Sequence, residues 1–166
     1  MVGHAVTVLG IDPGSRRLGW GVVRELSGVL SLVDCGTLLP KGGEFSARLA
    51  DLFADLSCLV AAHHPAEAAV EDVFTHKNVL SALKLGQARG VAVAACTAHG
   101  VPVIDYPPAV VKKSLVGTGR AEKEQVAFMV GRILGVKQSW SMDASDALAV
   151  AICHLNNRRM NRLTGR

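Results

Sequence analysis

Asp12 closes an apolar run, Val6 to Ile11, and is followed by Pro13-Gly14-Ser15. That pattern predicts a buried strand that ends in a tight turn and carries a carboxylate at its C-terminal end. Glu71 stands late in a second short apolar run, Ala68 to Val73. Asp143 and Asp146 lie three residues apart at the start of a helical segment, so they share one face. In open α/β sheets, functional groups gather at the carboxyl ends of strands. If the first and fourth strands are neighbours, Asp12 and Glu71 converge. Four acids brought together without four bases repel one another unless cations lie between them. Oxygen-only ligation favours Mg²⁺ or Mn²⁺. Taken singly, each acid has a plainer reading. Asp12 suits an Asx-turn and Glu71 a solvated strand end. Asp143 suits a helix N-cap, with Asp146 complementing the helix dipole. The run Ala147 to Ile152 weighs against this last reading, because it predicts a buried helix and a surface cap does not require two acids beside one.

The elements that must position these acids follow from the hydrophobic pattern. Strands are predicted over Val6–Ile11, Leu18–Glu25 and Val29–Leu39, with Ser27-Gly28 as a hairpin turn. A helix over Ser46–Ala62 ends before Pro65, and the strand Ala68–Val73 follows. A long apolar helix runs from Asn78, its N-cap, to His99, with Gly100 at its end. Then come a strand over Val101–Tyr106 and helices over Ala109–Val116, Ala121–Leu134 and Asp143–Asn157. The order β-β-β-α-β-α-β-α-α-α combines an antiparallel meander with right-handed parallel crossovers. The expected fold is α/β, a five-stranded mixed sheet with helices on both faces. Residues 1–157 form one domain, and 158–166 form a basic, flexible tail.

Composition bounds the function. A chain of 166 residues with 49% apolar content suits one domain with a real core and excludes wholesale disorder. No apolar run approaches the roughly 18 residues of a membrane helix, and no secretory leader is seen, so the expectation is a soluble cytoplasmic protein. Cys35, Cys58, Cys96 and Cys153 are widely spaced and read as reduced, buried small hydrophobes. The net charge of +4 is unevenly spread. Lys112, Lys113, Arg120, Lys123, Arg132 and Lys137 fall in one stretch, and four arginines close the chain, on an otherwise acidic body. That distribution fits a polyanion, most simply nucleic acid.

Asp12-Pro13-Gly14-Ser15 is similar to the phosphate loop of actin-like and sugar-kinase ATPases. Those proteins pair two such domains around a nucleotide, which 166 residues cannot hold, and no second loop is seen. A fuller resemblance spans Gly10 to His154. It rests on Gly10-Ile11-Asp12-Pro13-Gly14-Ser15, Gly19-Trp20-Gly21, and Glu71-Asp72-Val73-Phe74. It continues through Lys77-Asn78, Ala82-Leu83-Lys84-Leu85-Gly86-Gln87-Ala88-Arg89-Gly90, and Tyr106-Pro107-Pro108 with Lys112. Gly117-Thr118-Gly119-Arg120-Ala121-Glu122-Lys123 and Asp143-Ala144-Ser145-Asp146-Ala147-Leu148-Ala149 complete it. Together these segments resemble the RuvC family of bacterial crossover-junction endonucleases, which resolve Holliday junctions.

The resemblance implies an RNase H-like fold and a homodimer that nicks two strands of like polarity symmetrically about a four-way junction. It implies a metal site made of Asp12, Glu71, Asp143 and Asp146, with two ions roughly 4 Å apart activating water and stabilising the leaving 3′ oxygen. Asp12 is the first choice for a ligand bridging both ions, and the products carry 5′ phosphate and 3′ hydroxyl ends. Lys112 and Lys123 match family positions tied to DNA binding and strand scission. Lys113, Arg120 and Arg132 are either helpers or solvated surface. Phe74 matches an aromatic implicated in stacking on bases at the junction centre, and Lys77 belongs to the same DNA-facing segment. Before Lys77-Asn78 this chain reads Phe74-Thr75-His76, where many relatives carry further apolar residues. The helix 78–99, with Gly86, Gly90, Ala94 and Ala98 at four-residue spacing, is implied as the dimer contact, packing on the chain's own sheet being the plainer reading. Branch-migration motor proteins are implied partners, and His154 reads as structural. Other RNase H-like nucleases, and a DNA-binding protein without catalysis, are the competing readings.

Overall fold

The computed structural model describes residues 5–72 and 78–165. Three strands come first: β1 (Val6–Asp12), β2 (Leu18–Leu26) and β3 (Val29–Leu38). Ser27 and Gly28 join β2 to β3 with φ of 52° and 86°, the paired positive values that a two-residue type I′ hairpin needs. Then follow α1 (Phe45–His63), β4 (Glu67–Glu71), α2 (Val79–Ala98), β5 (Val103–Tyr106), α3 (Pro108–Val116), α4 (Lys123–Leu134) and α5 (Met142–Thr164). The element order is the one the sequence predicts.

The sheet runs β3-β2-β1-β4-β5. β1 pairs antiparallel with β2 and parallel with β4, and β4 is parallel to β5. The first and fourth strands are therefore neighbours, the condition for Asp12 and Glu71 to converge. Alternation divides the strands between two cores. Leu9, Ile11, Trp20, Val22, Ala68 and Val70 face α1 and α2. Val6, Val8, Val23 and Ala69 face α3, α4 and α5. α5 is the central element of the second layer: residues 144–155 are all buried, His154 among them.

Several boundaries differ from the expectation, each for a local reason. β4 ends at Glu71, which makes this acid the terminal residue of its strand. β5 begins at Val103, because Val101 N–H closes the end of α2 on Cys96 O and Pro102 has no N–H to give. α4 begins at Lys123, since Glu122 and Gln125 form a reciprocal capping box. Ser141, not Asp143, caps α5, accepting from Ala144 N at 3.2 Å, so the Asp143 carboxylate is not used as a cap. α5 continues past Asn157 to Thr164: arginine is a good helix former, and no breaker stands before Gly165.

Of the cysteines, Cys96 and Cys153 are buried as expected, but Cys58 is exposed and Cys35 only half-buried. All four are free thiols. α2 also departs from the expectation. By length and composition it could cross a membrane, with mean hydropathy 1.2 over its best window. Ala88, Ala92, Ala95 and Cys96 bury its inner face in the core, while Val79, Leu80 and Leu83 are exposed. Nothing on this chain approaches Gly86 or Gly90 on its outer side.

Candidate active site

The four acids meet on the α5 side of the sheet, at the carboxyl ends of β1 and β4. Asp12 and Glu71 are the last residues of their strands. Asp143 and Asp146 lie on the first turn and a half of α5, which crosses directly above. Three glycines make this crossing possible. A Cβ on Gly10 would stand 2.0 Å from Ala147 O, and one on Gly19 would stand 2.0 Å from Asp143 O. A Cβ on Gly21 would strike the Leu148 side chain at 2.5 Å. Gly10 is registered opposite Gly21, and Asp12 opposite Gly19. The strands thus present a bare backbone patch on which the helix backbone lies, and this lowers Asp143 and Asp146 onto Asp12 and Glu71.

The start of α5 is fixed from its other side. Trp140 Nε1 donates to Ser145 Oγ at 2.8 Å, and Ser141 Oγ is 2.7 Å from Thr37 Oγ1 on β3. Two cations reach the helix acids. Arg17 Nε lies 2.7 Å from Asp143 Oδ2, and Lys123 Nζ lies 2.8 Å from Asp146 Oδ2. The Lys123 ammonium is held above its ordinary pKa chiefly by that hydrogen bond.

Asp12 and Glu71 receive no such relief. Burial pushes the Asp12 carboxyl from 3.8 to about 7, and Glu71, Asp146 and Asp143 add to the rise. Burial likewise pushes Glu71 from 4.5 to about 7, Asp146 adding to it and Lys123 and Lys112 opposing it. A side-chain hydrogen bond joins Glu71 to Asp12, which requires one of the two to hold a proton. Beside them is a cavity of about 170 Å³. Glu71, Asp146, Lys112 and Lys123 form its polar side, and Pro108, Val111, Val126 and Ala149 its apolar wall.

Among the described residues no three acids are drawn into a closed ligand cage, because Asp143 and Asp146 are turned to Arg17 and Lys123. The donor set nonetheless suits a hard divalent cation. It is all carboxylate oxygen, and its two buried members are held protonated by the very repulsion that bound positive charge would remove.

The structure brings together Asp12, Glu71, Asp143, Asp146, Lys112 and Lys123. Lys113 and Arg120 are exposed and do not line the cavity. Phe74 and Lys77, with His76, lie outside the described residues. Arg17 was not foreseen. It sits in a turn, and its partner is 126 positions away. The three glycines did carry a signal: Gly19 and Gly21, two apart in a strand, must share a face. A larger groove of about 520 Å³, lined in part by Phe128, Arg132, Val136 and Lys137, has no acid in its lining and so no comparable chemistry. His154 is structural in its contacts: its ring nitrogens meet Tyr106 Oη at 2.9 Å and Glu67 Oε2 at 2.5 Å.

The family model described as "Crossover junction endodeoxyribonuclease RuvC" matches residues 8–154. The chain belongs to the RuvC family. A family member from Nitratidesulfovibrio vulgaris, strain Hildenborough, is 68% identical over 161 residues, 97% of each chain. One from Oleidesulfovibrio alaskensis is 63% identical over 163 residues, 98% of each. The solved structure of Thermus thermophilus RuvC in complex with a Holliday junction substrate is 36% identical, with a TM-score of 0.87. That match covers 94% of this chain and 96% of the other. The fold is therefore the RNase H-like fold of this family, a family of metal-dependent nucleases.

Proposed function

We propose that this protein is a Holliday junction resolvase, an endonuclease that nicks two like-polarity strands symmetrically at a four-way DNA junction in recombination and repair. The observation that carries this reading is the convergence of Asp12, Glu71, Asp143 and Asp146 at one sheet end, in a chain that matches RuvC almost throughout. The four acids would hold Mg²⁺, or Mn²⁺, two ions per site, with Asp12 between them. Bound there, such ions supply a nucleophilic water of lowered pKa and charge for the leaving oxygen. The products carry 5′ phosphate and 3′ hydroxyl ends.

The chain's own groups do the rest. Lys112 and Lys123 present ammonium groups at the cavity, where they pair with phosphate oxygens and position the scissile strand. The apolar wall of Pro108, Val111, Val126 and Ala149 limits water on that side and strengthens these charge interactions. Lys113 and Arg120 add exposed positive charge on and just beyond α3. Phe74 and Lys77 are assigned, by family resemblance, to the junction centre and its backbone.

Two symmetric nicks require two related sites, which a two-fold dimer provides. The outer face of α2, with exposed Leu80 and Leu83 and open space above Gly86 and Gly90, suits a second copy of the chain. Motor proteins of branch migration are the further partners, and the cytoplasm, where the bacterial chromosome lies, is the location. The test is incubation with a synthetic mobile four-way junction, matched linear duplex and Mg²⁺, beside Asp12→Asn. Paired nicks on the junction alone, lost in the variant, are expected. Equal cutting of linear duplex would remove the junction role and leave a nuclease of another substrate class.

A further inference from the structure

Arg89 belongs to the most distinctive segment of the sequence and takes no part in the site above. It follows Ala88, the first fully buried residue of α2, and lies on the sheet face opposite the acids. Its Nη2 is 2.5 Å from Asp105 Oδ1 on β5, and its Nε is 3.8 Å from Asp72 Oδ1. That Nε is buried and has no hydrogen-bond acceptor within reach. The guanidinium therefore lies between two parallel strand ends.

Asp72 is the residue after Glu71, and its N–H donates to Tyr106 O at 2.8 Å. Glu71 itself is registered opposite Tyr106 in the last pair of the β4–β5 ladder. Strand alternation sends Asp72 and Asp105 to the α2 side and Glu71 to the α5 side. A terminal ladder pair frays readily when nothing ties its ends together. Arg89 ties them with a planar cation that reaches both carboxylates at once, a geometry a lysine ammonium reproduces only in part.

We propose that Arg89 is a positioning residue for Glu71: by clamping Asp72 and Asp105 from beneath, it fixes the end of β4 from which the Glu71 carboxylate projects. The proposal rests on Glu71 serving the reaction as given above. Arg89 touches neither DNA nor the reacting atoms in this role. It acts through backbone geometry, as the outer partners of metal-site carboxylates do.

The test compares the wild type, Arg89→Gln, Arg89→Lys, Asp105→Asn and the double variant Arg89→Gln/Asp105→Asn, as full-length protein well below their unfolding temperatures. In metal-free protein, hydrogen exchange is read at the Asp72 amide. In the junction assay, single-turnover cleavage is read across Mg²⁺ concentration, with junction binding measured separately without metal. Arg89→Gln is expected to speed exchange at Asp72 and to lower the cleavage rate about 10- to 100-fold at low Mg²⁺. Higher Mg²⁺ recovers part of that rate, and junction binding stays within about twofold. Asp105→Asn should move the same quantities in the same direction, and the double variant should add little to either. Arg89→Lys should lie between. Unchanged Asp72 exchange, additive effects of the two substitutions, or a rate loss matched by lost junction binding would each overturn the proposal. Glu71→Gln separates the two ideas: full activity in that variant removes the role of Glu71 itself, whatever Arg89 does.

Discussion

Asp12→Asn should stabilise the metal-free protein while abolishing cleavage, and the size of the gain should depend on pH. Folding raises the Asp12 pKa from 3.8 to about 7. Between those values the folded chain keeps a proton that the unfolded chain has released. Stability therefore falls as pH rises through this window, by about 1.4 kcal/mol per pH unit for one fully coupled group. Three units give an upper bound of about 4 kcal/mol. Water entry, the Lys123 charge and the proton shared with Glu71 reduce this, and about 2 kcal/mol is expected at pH 8. Asparagine keeps the shape and removes the charge. For a chain of this length that gain corresponds to roughly 4–8 °C in Tm. The assay is urea unfolding in EDTA at pH 4, 5, 6, 7 and 8, followed by circular dichroism. The advantage of the variant should shrink steadily below pH 7 and vanish near pH 4, where aspartate is protonated in both states. Added Mg²⁺ should raise the wild-type Tm more than that of the variant. An asparagine variant no more stable than wild type at pH 8, or a gain that does not change with pH, would refute the electrostatic account of the site.

Gly19→Ala should cost more stability than Gly21→Ala. The new methyl meets the Asp143 carbonyl at 2.0 Å in the first case and a movable Leu148 side chain in the second. Overpacking of this kind costs about 1–3 kcal/mol, with the backbone clash at or beyond the upper end, as denaturant midpoints would show. Lys123→Ala should lower the single-turnover cleavage rate about 100-fold, the scale for one lost charge-stabilising group, with a smaller change in junction binding. Among the four thiols, Cys58 should react first with a thiol reagent. Cys96, whose pKa burial pushes up to about 11, should react only on unfolding, as stopped-flow labelling of single-cysteine variants would resolve.

The strands and helices were legible because their signals are local. Apolar periodicity, Ser27-Gly28, Asn78 and Gly100 each act within a few residues. Asn78 does cap α2, accepting from Leu80 N and Ser81 N. The gathering of the four acids was legible for another reason: strand order and crossover handedness restrict where β1 and β4 can lie. The ion pairs of Arg17 with Asp143 and of Arg89 with Asp105 were not legible, because spacing carries no information about partners brought together by tertiary packing. The end of α5 was missed because a run of arginines marks solvent exposure equally in a helix and in a loose tail. Ser141 shows the same ambiguity at the other end of that helix, where Asp143 is chemically as good a cap.

The bare glycine patch under α5 has a consequence for how the enzyme can fail. Asp143 and Asp146 are carried by the element most deeply set in the protein, and its backbone rests on the strands that end in Asp12. No hinge separates the acids from this seam. The site thus has no low-energy opening of its own: parting the helix acids from the strand acids means parting the two central layers of the fold. Heat inactivation, protease access to the seam and loss of the whole structure should coincide in one cooperative event, and substitutions that merely loosen the periphery should reduce the amount of enzyme while leaving each surviving molecule fully competent.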